Sequence, residues 1–283
     1  PENKYYQTEE GITSLRNVLK VMALYDQVVS YCQGMNIIVA NVLLASDGNQ
    51  FETFLVLRYI FDNLEVREFY MKGFAKLHYY IFIIKSLIKE KFQNVYNAIE
   101  NLGVPDEVWL FRWLQTIFML ACDFSICIRI WDCIIADGMD FLIKFCLGLI
   151  RYYEANIVKA QDMCEFIDAF KLKTKNMTIE EIYIFRETLI SHAYNIKVES
   201  IRLNELKVEY ENVKNTYDES SIRFKNSKNE SFTTIKQESF ININSMNKEI
   251  INNLNSASID SIMIEDERIG MRRNINSSIN MPK

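Results

Sequence analysis

Ser30-Tyr-Cys-Gln-Gly-Met-Asn36 (SYCQGMN) stands between two apolar stretches, and its reading decides the fold. Before it, Ile12, Leu15, Val18, Leu19 and Met22 recur at spacings of three and four, one face of an amphipathic helix. After it, Met35 to Ala45 (MNIIVANVLLA) is apolar on nearly every side, which predicts a central, buried helix. Gly34 is the break between them, because a residue without a Cβ accepts backbone conformations that others resist. Gln33, immediately before it, either closes a helix–helix turn or is held out toward a partner. The residues of this stretch leave both open.

The helical period continues outward. Asp47-Gly48 ends the second helix, Phe51, Phe54, Leu55 and Leu57 start a third, and Phe74, Leu77, Ile81, Ile84 and Ile88 mark a long one beyond it. Gly103-Val104-Pro105 reads as a loop with Pro105 at a helix start, where Asp106 and Glu107 favour the N-terminal dipole. Helices are expected around Trp109–Leu120, around Phe124–Ile135 with a stop at Asp137-Gly138, and around Asp140–Asn156. Another starts after Thr178, where Thr178-Ile-Glu-Glu181 has the capping-box pattern. Three prolines and eight glycines leave little punctuation for a β protein. The expected class is all-α.

Composition excludes several functions. A net charge of −5 opposes nucleic-acid binding, which calls for a basic stripe. The most apolar long stretch, Trp113 to Ile135, is interrupted by Asp123, Arg129 and Asp132 and reads as buried helix, not a membrane span. With no visible signal peptide, lipidation motif or basic amphipathic helix, a cytoplasmic location is expected, with membrane contact only indirect. The six cysteines (Cys32, Cys122, Cys127, Cys133, Cys146 and Cys164) stand in apolar helical surroundings without a C-x-x-C pair, so reduced core residues are expected. Two histidines, His78 and His192, and no glycine-rich phosphate loop argue against a metal site or a nucleotide site of the chain's own.

Near Ile196 the composition shifts. Leu203, Leu206, Tyr210, Val213 and Tyr217 keep a heptad-like rhythm over a helix expected at 201–218, suited to self-association through 203–217 or to docking on the domain. From Glu219 to Lys283 the chain is rich in Asn, Ser, Lys, Ile and Glu without sustained period, and a disordered tail is expected.

Several separated blocks together resemble one family. Tyr31-Cys-Gln-Gly-Met-Asn36 is similar to the Y-x-Q-G-M signature of the TBC domain of Rab GTPase-activating proteins. Trp109 and Trp113 with Phe118 resemble that family's W-F-x-x-L-F helix. Arg129-Ile-Trp-Asp132, six residues before Gly138, resembles its R-I-W-D block. Glu68-Phe-Tyr70 and Gly73-Phe74 to His78 are similar to the segment between, and Tyr194-Asn-Ile-Lys197 resembles members that run on into a coiled coil. The resemblance covers about residues 1–200 and implies an all-α, multi-helix TBC domain.

It also implies that the partner is a Rab-type GTPase in its GTP state, which brings GTP and Mg²⁺ while this chain needs no cofactor. The chain would then be peripheral to endomembranes through that Rab. Gln33 is implied as the glutamine given in trans to hold the attacking water. Tyr31, Gly34, Met35 and Asn36 support it or touch the Rab, with Tyr31 and Met35 expected as packing residues. Asn36 either caps the next helix or bonds to the loop. Trp113, Arg129, Trp131, Asp132 and Gly138 are the structural motif, with Arg129 and Asp132 expected in a buried ion pair or polar network.

The family's second catalytic group, an arginine in I-x-x-D-x-x-R, has no counterpart among the 283 residues. Ile60-Phe-Asp62 and Met263-Ile-Glu-Asp266 miss the spacing. Pro1 resembles the proline that follows this motif, so the expectation is a domain whose first helices and arginine lie upstream of Pro1. The alternative is a non-catalytic Rab-binding or scaffolding protein.

Overall fold

The computed structural model describes residues 3–170, 172, 174 and 177–227, with side chains through 214. After a 3-10 turn at Lys4–Gln7, α1 (Glu9–Tyr25) starts where the Thr8 hydroxyl accepts from the Gly11 amide. Its inner face buries Val18 and Met22 and half-buries Leu15 and Leu19, while Ile12, expected on that face, is exposed. Helix α2 (Met35–Ala45) has the expected limits and packs against α1 and α3 (Gln50–Asn63), with Ile38, Val39 and Leu43 fully buried. Helix α3 begins at the Asn49 side chain, which accepts from the Phe51 and Glu52 amides. Its sheltered face is Thr53, Leu57, Ile60 and Phe61. Phe51 and Leu55, expected among its apolar residues, fall outside that stripe and face solvent.

A 3-10 turn at Val66–Tyr70 leads to α4 (Ala75–Lys91), which buries Leu77, Ile81, Ile84 and Ile88 at the expected spacing. Helix α5 (Gln93–Leu102), not anticipated, is short and buries only Val95 and Ile99. Pro105 opens a 3-10 turn at Asp106–Val108 and not an α-helix. Asp106 turns to the Lys85 ammonium at 3.1 Å. Helix α6 is much shorter than expected, Leu110–Gln115, because Ile117 and Phe118 both take positive φ (45° and 62°). Left-handed backbone costs such residues on the order of 1–3 kcal/mol each. Both side chains are completely buried, which returns about 1.5–3 kcal/mol apiece and holds the turn.

Helices α7 (Phe124–Asp137) and α8 (Asp140–Lys159) follow, separated by Gly138 at φ 81°. Then come α9 (Met163–Ala169), also unanticipated, and α10 (Ile179–Tyr194) with its capping box. The Thr178 hydroxyl accepts from the Glu181 amide, and the Glu181 carboxylate from the Thr178 amide. Around α6, the rings of Trp109, Trp113, Phe118, Phe166 and Phe170 meet edge to face or stacked, with centroids 4.9–5.7 Å apart.

Two further expectations are corrected. Arg129 and Asp132 form no buried pair: Asp132 is exposed, and the half-buried Arg129 faces Glu187 of α10 at 3.4 Å. The buried stripe of α7 runs through Ile126, Cys127, Ile130, Trp131, Cys133 and Ile134, so both charges stand at its margins within reach of water. Of the cysteines, Cys127, Cys133 and Cys146 are buried, Cys32 and Cys122 half-buried, and Cys164 exposed.

The heptad helix is α11 (Ser200–Ser227). The first part of its seam faces the domain, while Val213 is exposed. Leu206 is fully buried, Tyr210 packs on Tyr79 and Phe82 of α4, and Arg202 pairs with Glu90. The chain divides into one unit at Pro1–Asn215 and another at Thr216–Lys283. Residues 219–227, expected in the tail, continue α11, and the rest of the expected tail, 228–283, lies outside the described residues.

Helix α8 is the innermost element, with Leu142, Phe145, Cys146, Leu147 and Ile150 fully buried. Helix α10 lies against it so closely that a Cβ on Gly148 would stand 2.7 Å from the Ala193 nitrogen and 2.8 Å from its Cα. Backbone cannot yield as a side chain can. Gly148→Ala is therefore expected to destabilise the domain by about 1–3 kcal/mol. Urea unfolding should show a lower midpoint with unchanged slope, and an unchanged midpoint would contradict this packing.

Candidate functional site

The Gln33 loop is built on a carboxylate. Asp26, at the C-terminal end of α1, accepts from the Val28 and Val29 amides at 3.2 Å each, and its carbonyl accepts from the Ser30 amide at 2.7 Å. Arg67, from the turn before α4, grips the same carboxylate with Nε and Nη2, the latter at 3.0 Å. Burial pushes the Asp26 carboxyl up, but the Arg67 guanidinium and the two amides outweigh it and hold it below the ordinary carboxylate value. This clamp joins the start of the loop to the middle of the domain.

After Ser30, at φ 54°, Tyr31 and Cys32 belong to no helix or strand, and the chain turns at Gln33-Gly34. The Met35 amide donates to the Cys32 carbonyl at 3.1 Å, and the Cys32 amide points at the Met35 sulfur. Gly34 has φ 102°, a conformation that strains any residue with a side chain. Its amide donates to Asn36 Oδ1 at 3.2 Å. Asn36 thus closes the loop from the second position of α2 and does not cap the helix. Met35 is 2% exposed and anchors the turn in the core. Tyr31, expected to pack beside it, is 53% exposed and stands on the loop's rim.

The expected glutamine is held by a second glutamine. Gln115, the last residue of α6, donates from Nε2 to the Gln33 carbonyl at 3.0 Å, and its Cγ and Cδ lie 3.2 Å from where a Cβ on Gly34 would be. The Gln115 carbonyl in turn accepts from the Tyr70 hydroxyl at 2.5 Å, and the Tyr70 ring stacks on Phe61. The Gln33 side chain itself is exposed. A backbone pinned at several points therefore carries a primary amide into solvent, able to donate and accept at once. Trp113 stands two residues before Gln115 in α6, and the Trp131 indole N–H donates to the Ile117 carbonyl at 3.3 Å, just past it. Arg129, Asp132 and Gly138 belong to α7 and its end.

Sequence reading missed Asp26, Arg67 and Gln115, and named Tyr70 only as part of a resembling block. For Gln115 the signal is a polar side chain inside the apolar run Trp-Leu-Gln-Thr-Ile-Phe at 113–118. Among the described residues no group of three or more His, Cys, Asp or Glu is placed to hold a metal ion, and no helix is long and apolar enough to cross a membrane.

With this geometry in hand, comparison with known proteins gives the family. The Rab-GTPase-TBC domain family matches residues 1–158, more than half of the chain, and the chain belongs to that family. It is 26% identical over 233 residues, 82% of this chain, to the Rab GTPase-activating protein eat-17 of Caenorhabditis elegans. It is 33% identical over 164 residues, 57% of this chain, to TBC1 domain family member 2B of Xenopus tropicalis. It spans only 25% and 17% of those relatives' lengths. Two solved structures share the fold. The Chlamydomonas flagellar RabGAP TBC domain has TM-score 0.59, 18% identity, and covers 69% of this chain and 63% of its own. The Ypt/Rab-GAP domain of Gyp1p has TM-score 0.59, 19% identity, and covers 69% and 68%.

The clamp yields a pH prediction. A carboxyl held below its unfolded value contributes stability above about pH 4, which is lost as pH falls through the folded value. Arg67→Met should cost about 0.5–2 kcal/mol at pH 7. That deficit should shrink toward zero in acid, as Asp26 becomes protonated in the native protein too. A deficit independent of pH between 7 and 3, measured by urea unfolding, would contradict the clamp.

Proposed function

We propose that this protein accelerates GTP hydrolysis on a Rab-type small GTPase, and that Gln33 is the side chain it delivers to the partner's nucleotide. The observation that carries this reading is the contrast at Gln33: its backbone is fixed by Gln115 and the Gly34 turn, while its amide is presented to solvent. Rab-type GTPases hydrolyse slowly because the attacking water is poorly held and charge on the transferred phosphoryl group is poorly met. The Gln33 carbonyl oxygen can accept from that water while its NH₂ donates to a phosphate oxygen. GTP and Mg²⁺ come with the partner, and membrane association follows from the Rab. Membership of the TBC family and similarity to the Rab GTPase-activating protein eat-17 support this.

One observation favours a second reading. The chain contains no I-x-x-D-x-x-R stretch, so in the catalytic reading the developing charge must be met by an arginine from outside residues 1–283. An arginine finger is worth about 10³–10⁵ in rate, and a protein without one would bind a Rab with little acceleration. Single-turnover hydrolysis with a panel of GTP-loaded Rabs separates the two. The catalytic reading expects at least one Rab to be accelerated and Gln33→Ala to lose about tenfold or more of that effect, on the order of 1.4 kcal/mol. Binding without acceleration supports the scaffold reading, and full activity of Gln33→Ala removes Gln33 from the mechanism.

A further inference from the structure

We infer that Gln115 is a positioning residue for Gln33: its side-chain amide holds the Gln33–Gly34 peptide and so restricts the rotamers in which the Gln33 side chain leaves the domain. This rests on the reading of Gln33 given above. Because glycine accepts φ of either sign, the peptide unit before it is free to rotate, changing ψ of Gln33 and φ of Gly34 together. Such a rotation changes ψ of Gln33, and with it the rotamers open to its side chain, without disturbing the helix. The permissive residue that makes the turn therefore makes its conformation ambiguous.

Beside the bond from the Gly34 amide to Asn36 Oδ1, Gln115 limits the ambiguity in two ways. Its Nε2 donor reaches the Gln33 carbonyl at 3.0 Å, so a flipped peptide would leave both groups without this bond. Its Cγ and Cδ pack against the open side of Gly34. Gln115 is itself placed by the Tyr70 hydroxyl on its carbonyl and by the aromatic packing of Trp113 two residues earlier. Because the bond is to the Gln33 backbone, Gln33→Ala can retain it. The two residues can thus be varied separately.

The test uses the most responsive GTP-loaded Rab of the panel and two variants without the donor, Gln115→Met and Gln115→Glu, with thermal melting to check folding. If the first does not fold, the second carries the test. The maximal rate should fall about 2- to 12-fold, the worth of one neutral hydrogen bond. The concentration giving half-maximal rate should change less than about twofold, as expected when an interaction acts only in the transition state. In the Gln33→Ala background the substitution should give no further loss. Amide exchange at Gly34 and Met35 should quicken in both Gln115 variants. Full activity of both variants beside an impaired Gln33→Ala overturns the role of Gln115 alone, as does a loss that persists undiminished in Gln33→Ala. Failure to accelerate any Rab, or full activity of Gln33→Ala, overturns the reading of Gln33 and the positioning role with it. Amide exchange then still shows whether Gln115 holds the loop.

Discussion

Helix α2 is apolar around nearly its whole circumference, and one face of it, Met35, Ile38, Val39, Val42 and Leu43, is closed to water while most of the rest is half-buried. Helices α1 and α3 pack against it, with Ile38, Val39 and Leu43 completely buried. An element packed this way cannot slide or turn without opening a cavity or forcing a clash, each costing on the order of kilocalories. Its N-terminus is therefore a fixed point in the domain, and that is where Gly34 stands. Met35, buried one residue further on, ties the turn to this point.

From that point outward, polar contacts take over from packing. Asp26 organises the start of the loop through two amides and Arg67, and Gln115 holds its tip. Both partners come from segments far along the chain, 41 and 82 residues away. The loop is thereby placed by the 3-10 turn before α4 and by the end of α6. Helix α6 can end at Gln115 because Ile117 and Phe118 accept left-handed backbone in return for burial. A strained turn in one helix pair and a glycine turn in another meet at the Gln33 carbonyl.

What could be read from residues alone follows the range of the interaction. Helix α2, the α4 stripe and the Thr178 capping box depend on neighbours within about four residues, and periodicity or capping chemistry exposes them. The Tyr31–Asn36 blocks and their order along the chain exposed the family. Helices α5 and α9 escaped because each buries one or two large side chains, too few to establish a period. The early end of α6 escaped because nothing in Trp-Leu-Gln-Thr-Ile-Phe forbids a continuing helix. Arg129 and Asp132 misled because charges in an apolar sequence suggest buried charges, yet the margins of a helix stripe are wet. The heptads of α11 suit docking and self-association alike, and the seat of Leu206 and Tyr210 on the domain, made by residues more than a hundred positions away, is written in no local pattern. At the candidate site, the Tyr31–Asn36 loop was singled out by resemblance. Gln115 was not, since its partner is a carbonyl, which any residue possesses.

The central claim is that a fixed backbone delivers the Gln33 amide into the nucleotide site of a Rab. The most direct measurement is a crystal structure of this protein with a Rab carrying Mg²⁺, GDP and aluminium fluoride, a mimic of the phosphoryl group in transfer. The account predicts the Gln33 amide within hydrogen-bonding distance of both the fluoroaluminate and the in-line water, with the Gln115 bond to its carbonyl intact. A complex in which the Gln33 side chain points away from the nucleotide, or in which the Rab docks on another face, would contradict it.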